Sequence, residues 1–250
     1  MSLDERQGGV LDCNAIVAAR ERGDVVIEPF NQSNLAGSSY DVTLGEFFYL
    51  EQTPEQRLAT MQRLGLEGRV ETSIGAHGYH VRQPFDKDDP EITWGPVRKA
   101  EALQSGEAIS SERGVLIPPG MSVLAHTNEF IGARGVHYTT MMKTRSSMGR
   151  SLVDITMGSS GWGDPGYFGR WTMDITITST HTAVFLPVGA RVGQIVFISL
   201  VPGPFVSEEV QKKLVYTGKY QSSQDLAELQ ANWSPAAMLP RLHLDSFRQQ

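Results

Sequence analysis

A cluster of arginine and serine side chains near the middle of the chain has the composition of an anion-binding site. Arg145 and Arg150 flank the hydroxyl pair Ser146 and Ser147 within the segment KTRSSMGR. Guanidinium groups match phosphate oxygens in charge and in geometry, and the serine hydroxyls add hydrogen-bond donors. The segment therefore predicts a site for a phosphate-bearing polyanion, and a polar turn with two solvated arginines is the alternative that the residues alone leave open.

A glycine-framed turn and an acidic strand follow this cluster. Asp164 begins an Asp-Pro-Gly turn within the segment GWGDPGYFG. The closely spaced glycines allow a ligand to approach the backbone, but a plain hairpin turn is equally compatible with this sequence. The run from Trp171 to Ile177 has the β-branched and bulky residues of a strand, yet it contains Asp174. That carboxylate either faces solvent or is held in a site. Tyr167 beside the turn either stacks on a nucleobase or fills the core.

The composition of the chain is that of a globular protein. Its 250 residues are 40% hydrophobic and 20% charged, which suits one large domain or two small ones. The net charge of −6 disfavours a nucleic-acid partner, so any polyanion site must be local. The N-terminus is unlike a signal peptide, and no run of about 18 apolar residues occurs, so we expect a cytoplasmic protein without a membrane partner.

The metal-binding side chains are few and scattered. Cys13 is the single cysteine, so a disulfide within the chain and a cysteine-rich structural zinc site are both excluded. His77 and His80 lie in a polar stretch, where a chance pair is the simpler interpretation, and the other histidines have no metal-ligand spacing. We therefore predict no metal site built from the protein's own side chains.

The pattern of apolar residues predicts a mainly β chain with a short helix near its start. Apolar positions backed by charges in residues 11–22 predict an amphipathic helix that Gly23 ends. From Val115 onward, short strands alternate with turn signals roughly every 8 to 12 residues, which is typical of a sandwich, jelly roll or barrel. No glycine-rich phosphate loop precedes a helix, so Walker-type and dinucleotide-binding folds are excluded.

Two segments lie outside this β pattern. Residues 52–113 are rich in Glu, Gln, Arg, Gly and Pro, and we interpret them as an insertion with a helix near 54–64 and an exposed stretch at 86–91. From about residue 206 the chain becomes polar again, and residues 215–230 are expected to form a tail rather than part of the core. Residues 1–250 then form a single domain.

Five motifs occur in an order that resembles the dCTP deaminase and dUTPase superfamily, with a closer match to the dCTP deaminase branch. The motifs are SSYDVTLG (38–45), TRSSMGR (144–150), GWGDPGYFG (161–169), PVGARVGQIVF (187–197) and YTGKYQ (216–221). The resemblance covers most of residues 11–50 and 115–224. It implies a homotrimer of distorted β-barrel or jelly-roll subunits of the dUTPase-like type, with active sites shared between neighbouring subunits.

The resemblance also implies the residues of a triphosphate site. The RSS-x-x-R motif and the C-terminal KYQ segment hold the triphosphate in that family, and the Asp-Pro-Gly turn holds the deoxyribose and the base. Gln194 would add a phosphate contact, and Gln224 would replace a further tail glutamine. The substrate-binding residues implied here are Arg145, Ser147, Asp164, Tyr167, Gln194, Tyr216, Lys219, Gln221 and Gln224. Magnesium would be bound through the triphosphate.

For the deaminase branch, the resemblance implies hydrolysis of dCTP to dUTP and ammonia without zinc. Lining up the family's GxxxxxE motif on Gly169 assigns the general base and proton shuttle to Asp174. Ser146 would hydrogen-bond at the reaction centre, and Arg150 would keep the carboxylate ionised. Zinc-dependent deaminases need a Pro-Cys-x-x-Cys segment, which a chain with one cysteine lacks.

Two departures from the family pattern leave other activities open. Asp174 stands where the family's deaminases carry Glu, and the shorter reach costs about 10²-fold in rate unless the backbone compensates. The histidine that many deaminases place before the turn is absent. A dUTP diphosphatase in which Asp164 positions the attacking water, or an enzyme that performs both reactions, is the first alternative. A catalytically silent nucleotide-binding regulator is the second.

Overall fold

Antiparallel strands dominate the computed structural model, which describes residues 8–66, 85–102, 112–156, 161–201 and 218–245. The strands are β1 (Gly9–Val10), β2 (Val25–Glu28), β3 (Tyr40–Leu50), β4 (Arg98–Lys99), β5 (Glu101–Ala102), β6 (Arg113–Ile117), β7 (Ser122–Ala133), β8 (Tyr138–Thr144), β9 (Val153–Asp154), β10 (Trp162–Gly163), β11 (Phe168–Ile177), β12 (Val184–Pro187) and β13 (Arg191–Ser199). The helices are α1 (Cys13–Glu21), α2 (Pro54–Arg63), α3 (Asp89–Trp94), α4 (Ser146–Arg150) and α5 (Leu226–Asn232). Among the residues described, no helix combines the length and the apolar character needed to cross a bilayer.

The strands form one large curled sheet and one small sheet. The large sheet has the order β10-β8-β13-β3-β7-β11-β9, with β1 beside β13, β2 beside β7 and β4 beside β3, whereas β12, β6 and β5 form the small sheet. The paired strands run antiparallel. Inward side chains such as Val42, Met173 and Ile195 are fully buried in one core. The predicted mainly β barrel or jelly-roll fold with a short N-terminal helix is confirmed.

Two predicted helices are confirmed, and each begins where a side chain can cap it. The Asp12 carboxylate accepts a hydrogen bond from the Ala15 N–H at 2.8 Å at the start of α1, and Gly23, with φ of +82°, follows its end. At the start of α2, Thr53 and Gln56 form a reciprocal capping box. Such caps satisfy backbone N–H groups that a helix leaves without partners, which is why both helices begin at these residues.

The described part of the 52–113 stretch packs against both sheets. β4 pairs with β3, β5 pairs with β6, and Ala100 between them is buried in the main core. The expectation that residues 86–91 are exposed is wrong at Asp89 and Pro90, which are buried in the first turn of α3. The charged composition of this stretch indicates exposure to solvent. The packing of α3 nevertheless buries these two residues.

The C-terminal residues 218–245 differ from the expected polar tail. Asp225 is the N-cap of α5, and its carboxylate accepts a hydrogen bond from the Glu228 N–H at 3.0 Å. Leu229 is buried in a cluster with Phe168, and Met238 is buried in a second cluster. A few apolar side chains spread through a polar segment are enough to dock it on the barrel, although they are too sparse to stand out as periodicity.

Candidate active site

A cavity of about 730 Å³ lies along β11. Its wall is built from β11 itself, from the Asp-Pro-Gly turn that precedes it, from the C-terminal segment and from α3. Its polar and aromatic lining includes Trp94, Trp162, Asp164, Tyr167, Arg170, Thr172, Asp174, Tyr220, Asn232, Trp233 and Arg241. A volume of this size suits a small organic ligand such as a nucleotide.

Asp174 lies at the cavity because of the alternation of side chains along β11. Met173 and Ile175 on either side of it are 0% and 1% exposed and pack into the core, whereas Asp174 is half-buried and lines the cavity. Successive side chains of a strand point to opposite faces, so buried neighbours place the carboxylate on the cavity face. β11 pairs with β7, and Leu124 of β7 lies opposite Asp174, so the register of this pairing fixes the position of Asp174 in the sheet.

The Asp-Pro-Gly turn brings a second carboxylate and an aromatic ring to the same cavity. Asp164 is exposed, and its carbonyl oxygen accepts a hydrogen bond from the Tyr167 N–H at 3.0 Å, which closes the turn. Gly166 has a φ of +84°, a conformation that only glycine adopts without strain. The Tyr167 ring packs edge-on against Trp171, with the ring centroids 5.2 Å apart. The turn therefore presents Asp164 and Tyr167 from a fixed backbone.

Two C-terminal glutamines hold this turn from behind. The Gln221 side chain accepts a hydrogen bond from the Phe168 N–H at 2.8 Å and donates one to the Gly166 carbonyl oxygen at 3.1 Å. The Gln224 side chain donates to the same carbonyl oxygen at 3.2 Å. Gln221 is buried, so within one chain its amide group positions the turn backbone. The contact of Gln221 with a triphosphate, which the family resemblance implies, stays a prediction.

The arginine–serine cluster lies elsewhere in the chain and does not line the cavity. Arg145 is the N-cap of α4, and Ser146, Ser147 and Arg150 stand exposed on that helix. The cluster follows directly after β8, whose partner β13 carries Arg191 at its start. One chain therefore presents the arginine–serine cluster and the acidic cavity as two separate sites.

A buried carboxylate anchors the first residue of the cluster. Asp41 is 6% exposed, and its Oδ2 lies 3.2 Å from Nε of Arg145 and 3.5 Å from Nη1 of Arg191. Burial raises the pKa of Asp41 above its ordinary value, and the two guanidinium groups oppose that shift. Asp41 therefore orients Arg145 at the base of the exposed cluster, and burying this carboxylate is tolerable because two cations accompany it.

The remaining predicted site residues are dispersed. Gln194 lies on β13, opposite Lys143 of β8 and Asp41 of β3. Lys219 forms an ion pair with Asp245 in the C-terminal segment. Tyr216 lies outside the described residues. Of the predicted set, the cavity thus brings together Asp164, Tyr167 and Asp174, with Gln221 and Gln224 behind the turn.

Reasoning from the sequence missed most of the cavity wall, including Arg170 and Trp233. Arg170 lies on β11 four residues before Asp174, and Trp233 comes from the end of α5. The guanidinium carbon of Arg170 lies 4.5 Å from the centre of the Trp233 ring. Strand periodicity, which places residues an even number apart on one face, could have pointed to Arg170. No local pattern marks Trp233, because its contacts come from distant strands.

A buried histidine and a buried glutamate support the wall. His126 is 1% exposed. Its Nδ1–H donates a hydrogen bond to the Thr127 carbonyl oxygen at 2.8 Å, and its Nε2 accepts one from the Phe47 N–H at 3.2 Å. Burial lowers the pKa of His126 to about 4, so the ring is neutral. Burial raises the pKa of Glu129. Within the described ranges, no three His, Cys, Asp or Glu side chains come together in a way that could hold a metal ion.

Fold and site together define a class of protein: a mainly β chain with two carboxylates in a nucleotide-sized cavity and an exposed arginine–serine cluster of the kind that binds phosphate. A family model of dCTP deaminase-like proteins matches residues 10–200. The chain belongs to this dCTP deaminase-like family. The resemblance seen in the five ordered motifs is thereby confirmed.

Similar proteins are known from several organisms. A protein of Methanococcus aeolicus named dCTP deaminase, dUMP-forming, is 27% identical over 188 residues, which are 75% of this chain and 82% of the relative. A dCTP deaminase of Thermococcus gammatolerans is 32% identical over 148 residues, 58% of this chain and 86% of the relative. The crystal structure of 2′-deoxycytidine 5′-triphosphate deaminase from Agrobacterium tumefaciens aligns with a TM-score of 0.49 at 17% identity, covering 78% of this chain and 49% of that one.

Proposed function

We propose that this chain is a hydrolase that converts dCTP to dUTP and ammonia. The observation that carries the proposal is the carboxylate of Asp174, which lines a nucleotide-sized cavity together with Asp164 and Tyr167 in a chain of the dCTP deaminase-like family. A carboxylate at the reacting base can take a proton from water and return it to a leaving group. No other acidic residue of the described wall lies on a strand whose neighbouring residues are locked in the core.

In the proposed reaction, Asp174 removes a proton from a water molecule while the water oxygen attacks C4 of the cytosine ring. The same carboxylate then delivers that proton to the amino nitrogen, and the C4–N bond breaks to release ammonia. The second proton of the water passes from the new hydroxyl group to N3 of the ring, and the hydroxyl oxygen becomes the O4 carbonyl oxygen of uracil. The sum is one dCTP and one water consumed for one dUTP and one ammonia.

We further propose that each active site is shared between neighbouring subunits of a homotrimer. The arginine–serine cluster is exposed and does not line the cavity of its own chain, which supports a role at the cavity of a neighbour. There Ser146 would hydrogen-bond at the reaction centre, and Arg150 would stabilise the ionised carboxylate and the triphosphate. A two-part site of this kind would be complete only in the assembly.

The proposed substrate is the magnesium complex of the nucleotide. Mg²⁺ prefers phosphate oxygens and retains several waters, so it needs few protein ligands. The described wall offers Asp164 and Asp174 but no cluster of three acidic groups, which is consistent with an ion that is carried by the triphosphate. In this proposal the metal neutralises phosphate charge and takes no part in the attack at C4.

A second candidate function is the direct formation of dUMP from dCTP. Several relatives, including that of Methanococcus aeolicus at 27% identity, carry the name dCTP deaminase, dUMP-forming. Asp164 lines the same cavity as Asp174 and is exposed, so it has room to orient a second water towards the α-phosphate. Both reactions would then take place on one bound nucleotide, with deamination at Asp174 and release of diphosphate at Asp164.

The decisive experiment incubates the purified protein and magnesium with dCTP and, separately, with dUTP, and resolves the nucleotides by ion-exchange chromatography. Formation of dUTP from dCTP supports the deaminase. Formation of dUMP from dCTP supports the second candidate, and conversion of dUTP alone moves the chemistry to Asp164. Binding of both nucleotides without turnover of either rejects the proposed activity and leaves a nucleotide-binding regulator.

A further inference from the structure

Arg170 is a cation on the cavity wall that the proposed mechanism does not use. It lies on β11 opposite Phe130, four residues before Asp174, and it lines the same cavity. A strand rises about 3.3 Å per residue, so Arg170 and Asp174 are roughly 13 Å apart along the wall. One stretch of wall therefore carries a guanidinium group at one end and a carboxylate at the other.

Two aromatic rings hold the guanidinium group of Arg170. Its central carbon lies 4.5 Å from the centre of the Trp233 ring and 5.1 Å from the centre of the Phe130 ring. Trp233 is held in turn by His126, with the ring centroids 4.6 Å apart. Stacking engages the flat faces of a guanidinium group and leaves its N–H groups, which lie in the plane, available to an acceptor.

The hydrogen-bonding capacity of Arg170 is unused within the described part of the chain. Its guanidinium group makes no hydrogen bond or ion pair there, and its Nε is buried without a partner. Burial lowers the pKa of Arg170 from its ordinary value, and the more distant carboxylates of Glu46 and Glu129 oppose that shift. The buried Nε is a donor without a partner, and the remaining N–H groups of this cavity-lining residue are the ones that a ligand can engage.

The other charged groups of the described wall cannot take this role. Arg241 donates a hydrogen bond to the Lys219 carbonyl oxygen, and its guanidinium carbon lies 5.6 Å from the centre of the Tyr220 ring. Asp164 and Asp174 are acidic and repel an anionic ligand. Arg170 is the cation on this wall whose donors are free.

We propose that Arg170 is a substrate-positioning residue that donates charge-assisted hydrogen bonds to a phosphate group of the nucleotide, while Phe130 and Trp233 fix the plane of its guanidinium group. This inference rests on the proposed nucleotide substrate. The phosphate end of the ligand then lies towards Arg170 and the base towards Asp174, so that the spacing of the two residues selects a nucleotide over a nucleoside.

The test is isothermal titration calorimetry of the full chain with dCTP, deoxycytidine and inorganic triphosphate. The Asp174→Asn background is used so that no substrate turns over. Arg170→Met removes the charge, Arg170→Lys keeps the charge without the planar fork, and Arg20→Met is the matched control. Arg20 also stacks on an aromatic ring, that of Phe30 at 4.4 Å, but it is not part of the cavity wall.

We expect Arg170→Met to weaken the binding of dCTP and of triphosphate by about 10- to 100-fold, the range of a charge-assisted hydrogen bond. Binding of deoxycytidine should stay unchanged, because it has no phosphate. Arg170→Lys should give a smaller loss for both anions, since an ammonium group lacks the fork. Arg20→Met should bind all three ligands like its parent.

The inference is overturned if Arg170→Met binds dCTP like its parent, or if it loses dCTP and deoxycytidine to the same extent, since that would mark a purely structural stack. If Arg170→Met does not fold, Arg170→Lys provides the test. A loss of dCTP affinity with unchanged deoxycytidine affinity supports the inference, and an equal loss for both ligands overturns it. Protein with Asp174 intact that binds dCTP without turnover would reject the proposed activity and leave the Arg170 contact standing.

Discussion

The arginine–serine cluster and the acidic cavity are built in opposite ways. The cluster lies within six consecutive residues, 145–150, at the short helix α4 after β8, with Ser146, Ser147 and Arg150 exposed and Arg145 half-buried. The cavity gathers residues that are far apart in the chain, from Trp94 to Arg241, and rests on buried strands. The residues of a contiguous motif are neighbours in the sequence and therefore stay close together in any fold. A cavity forms only if several distant segments pack against one another correctly.

The difference extends to electrostatics. In the cluster, the buried carboxylate of Asp41 pairs with Arg145, and it also pairs with Arg191 at the start of β13. The cavity wall instead lies beside buried ionisable groups of β7, with His126 neutral and the pKa of Glu129 raised, and its own Arg170 lies against two aromatic rings. Substitutions in the exposed cluster should therefore change binding, while substitutions in the wall change binding and stability together.

The largest effect is expected from Asp174→Asn. An amide cannot accept the proton of water, so deamination of dCTP should fall by about 10²- to 10⁴-fold, while dCTP affinity stays within a few fold. Initial rates of ammonia release and a binding titration measure the two quantities. Asp174→Glu is the matched control, because it keeps the carboxylate and should keep measurable activity. Deamination that persists in Asp174→Asn would move the chemistry away from the cavity.

Acidification should lower the free energy of unfolding through the protonation of His126, which packs against Trp233 of the cavity wall. The unfolded histidine has an ordinary pKa of 6.5 and the folded one a pKa of about 4. Between these values the unfolded chain binds the proton and the folded chain does not, so stability falls as pH falls. The contribution of His126 to this loss is about 3 kcal/mol across the window. Denaturant unfolding at a series of pH values measures it.

The variant His126→Gln isolates this contribution, because other groups titrate in the same window. The pKa values of Glu129 and Asp41 are raised by burial, and carboxyl groups of that kind act in the opposite direction. The difference between wild type and His126→Gln should shrink by about 3 kcal/mol from pH 7 to pH 4. His181→Gln, in an exposed turn, is the control and should follow the wild type. Parallel profiles for all three proteins would reject the assignment.

Arg150→Met tests the cluster side of the comparison. Arg150 is exposed, so its loss should leave the free energy of unfolding unchanged. The KM for dCTP should rise by about 10- to 100-fold if the guanidinium group contacts the triphosphate. An unchanged KM would remove Arg150 from the site.

Mixing the two variants asks whether the two regions meet between subunits. Arg150→Met keeps an intact cavity, and Asp174→Asn keeps an intact cluster. After joint unfolding and refolding, about a quarter of the sites in a randomly mixed trimer with shared sites combine both intact parts, so activity should return to that fraction of the wild type. Each variant refolded alone is the control. Failure of the mixed trimers to recover activity would contradict an active site shared between subunits.

The smallest effect is expected from Gln221→Ala. Removal of the buried amide leaves the Phe168 N–H without its partner, which should lower the free energy of unfolding by about 1 to 3 kcal/mol. Gln224→Ala is the control and should cost less, because Gln224 is exposed. Thermal unfolding and dCTP titration separate the two possible roles of Gln221. Lost affinity at unchanged stability would make it a phosphate contact instead of a support for the turn.

Reasoning from the sequence reached the barrel, both early helices and the strand that carries Asp174, since each depends on periodicity or on a cap that a short window contains. It failed at Asp89 and Pro90, and at the C-terminal segment, where burial depends on docking against distant strands. It also missed Arg170 and Trp233, whose contact joins β11 to the end of α5.

The family, the mainly β fold and the residues of the arginine–serine cluster could all be inferred from the sequence, because ordered motifs and strand periodicity are visible in a linear chain. Three features became visible only in the folded chain: the cluster lies apart from the cavity, Gln221 holds a turn, and Arg170 lies against Trp233 with a buried Nε that has no partner. The physical reason is that burial and desolvation depend on which distant segments pack together, and no short stretch of sequence carries that information.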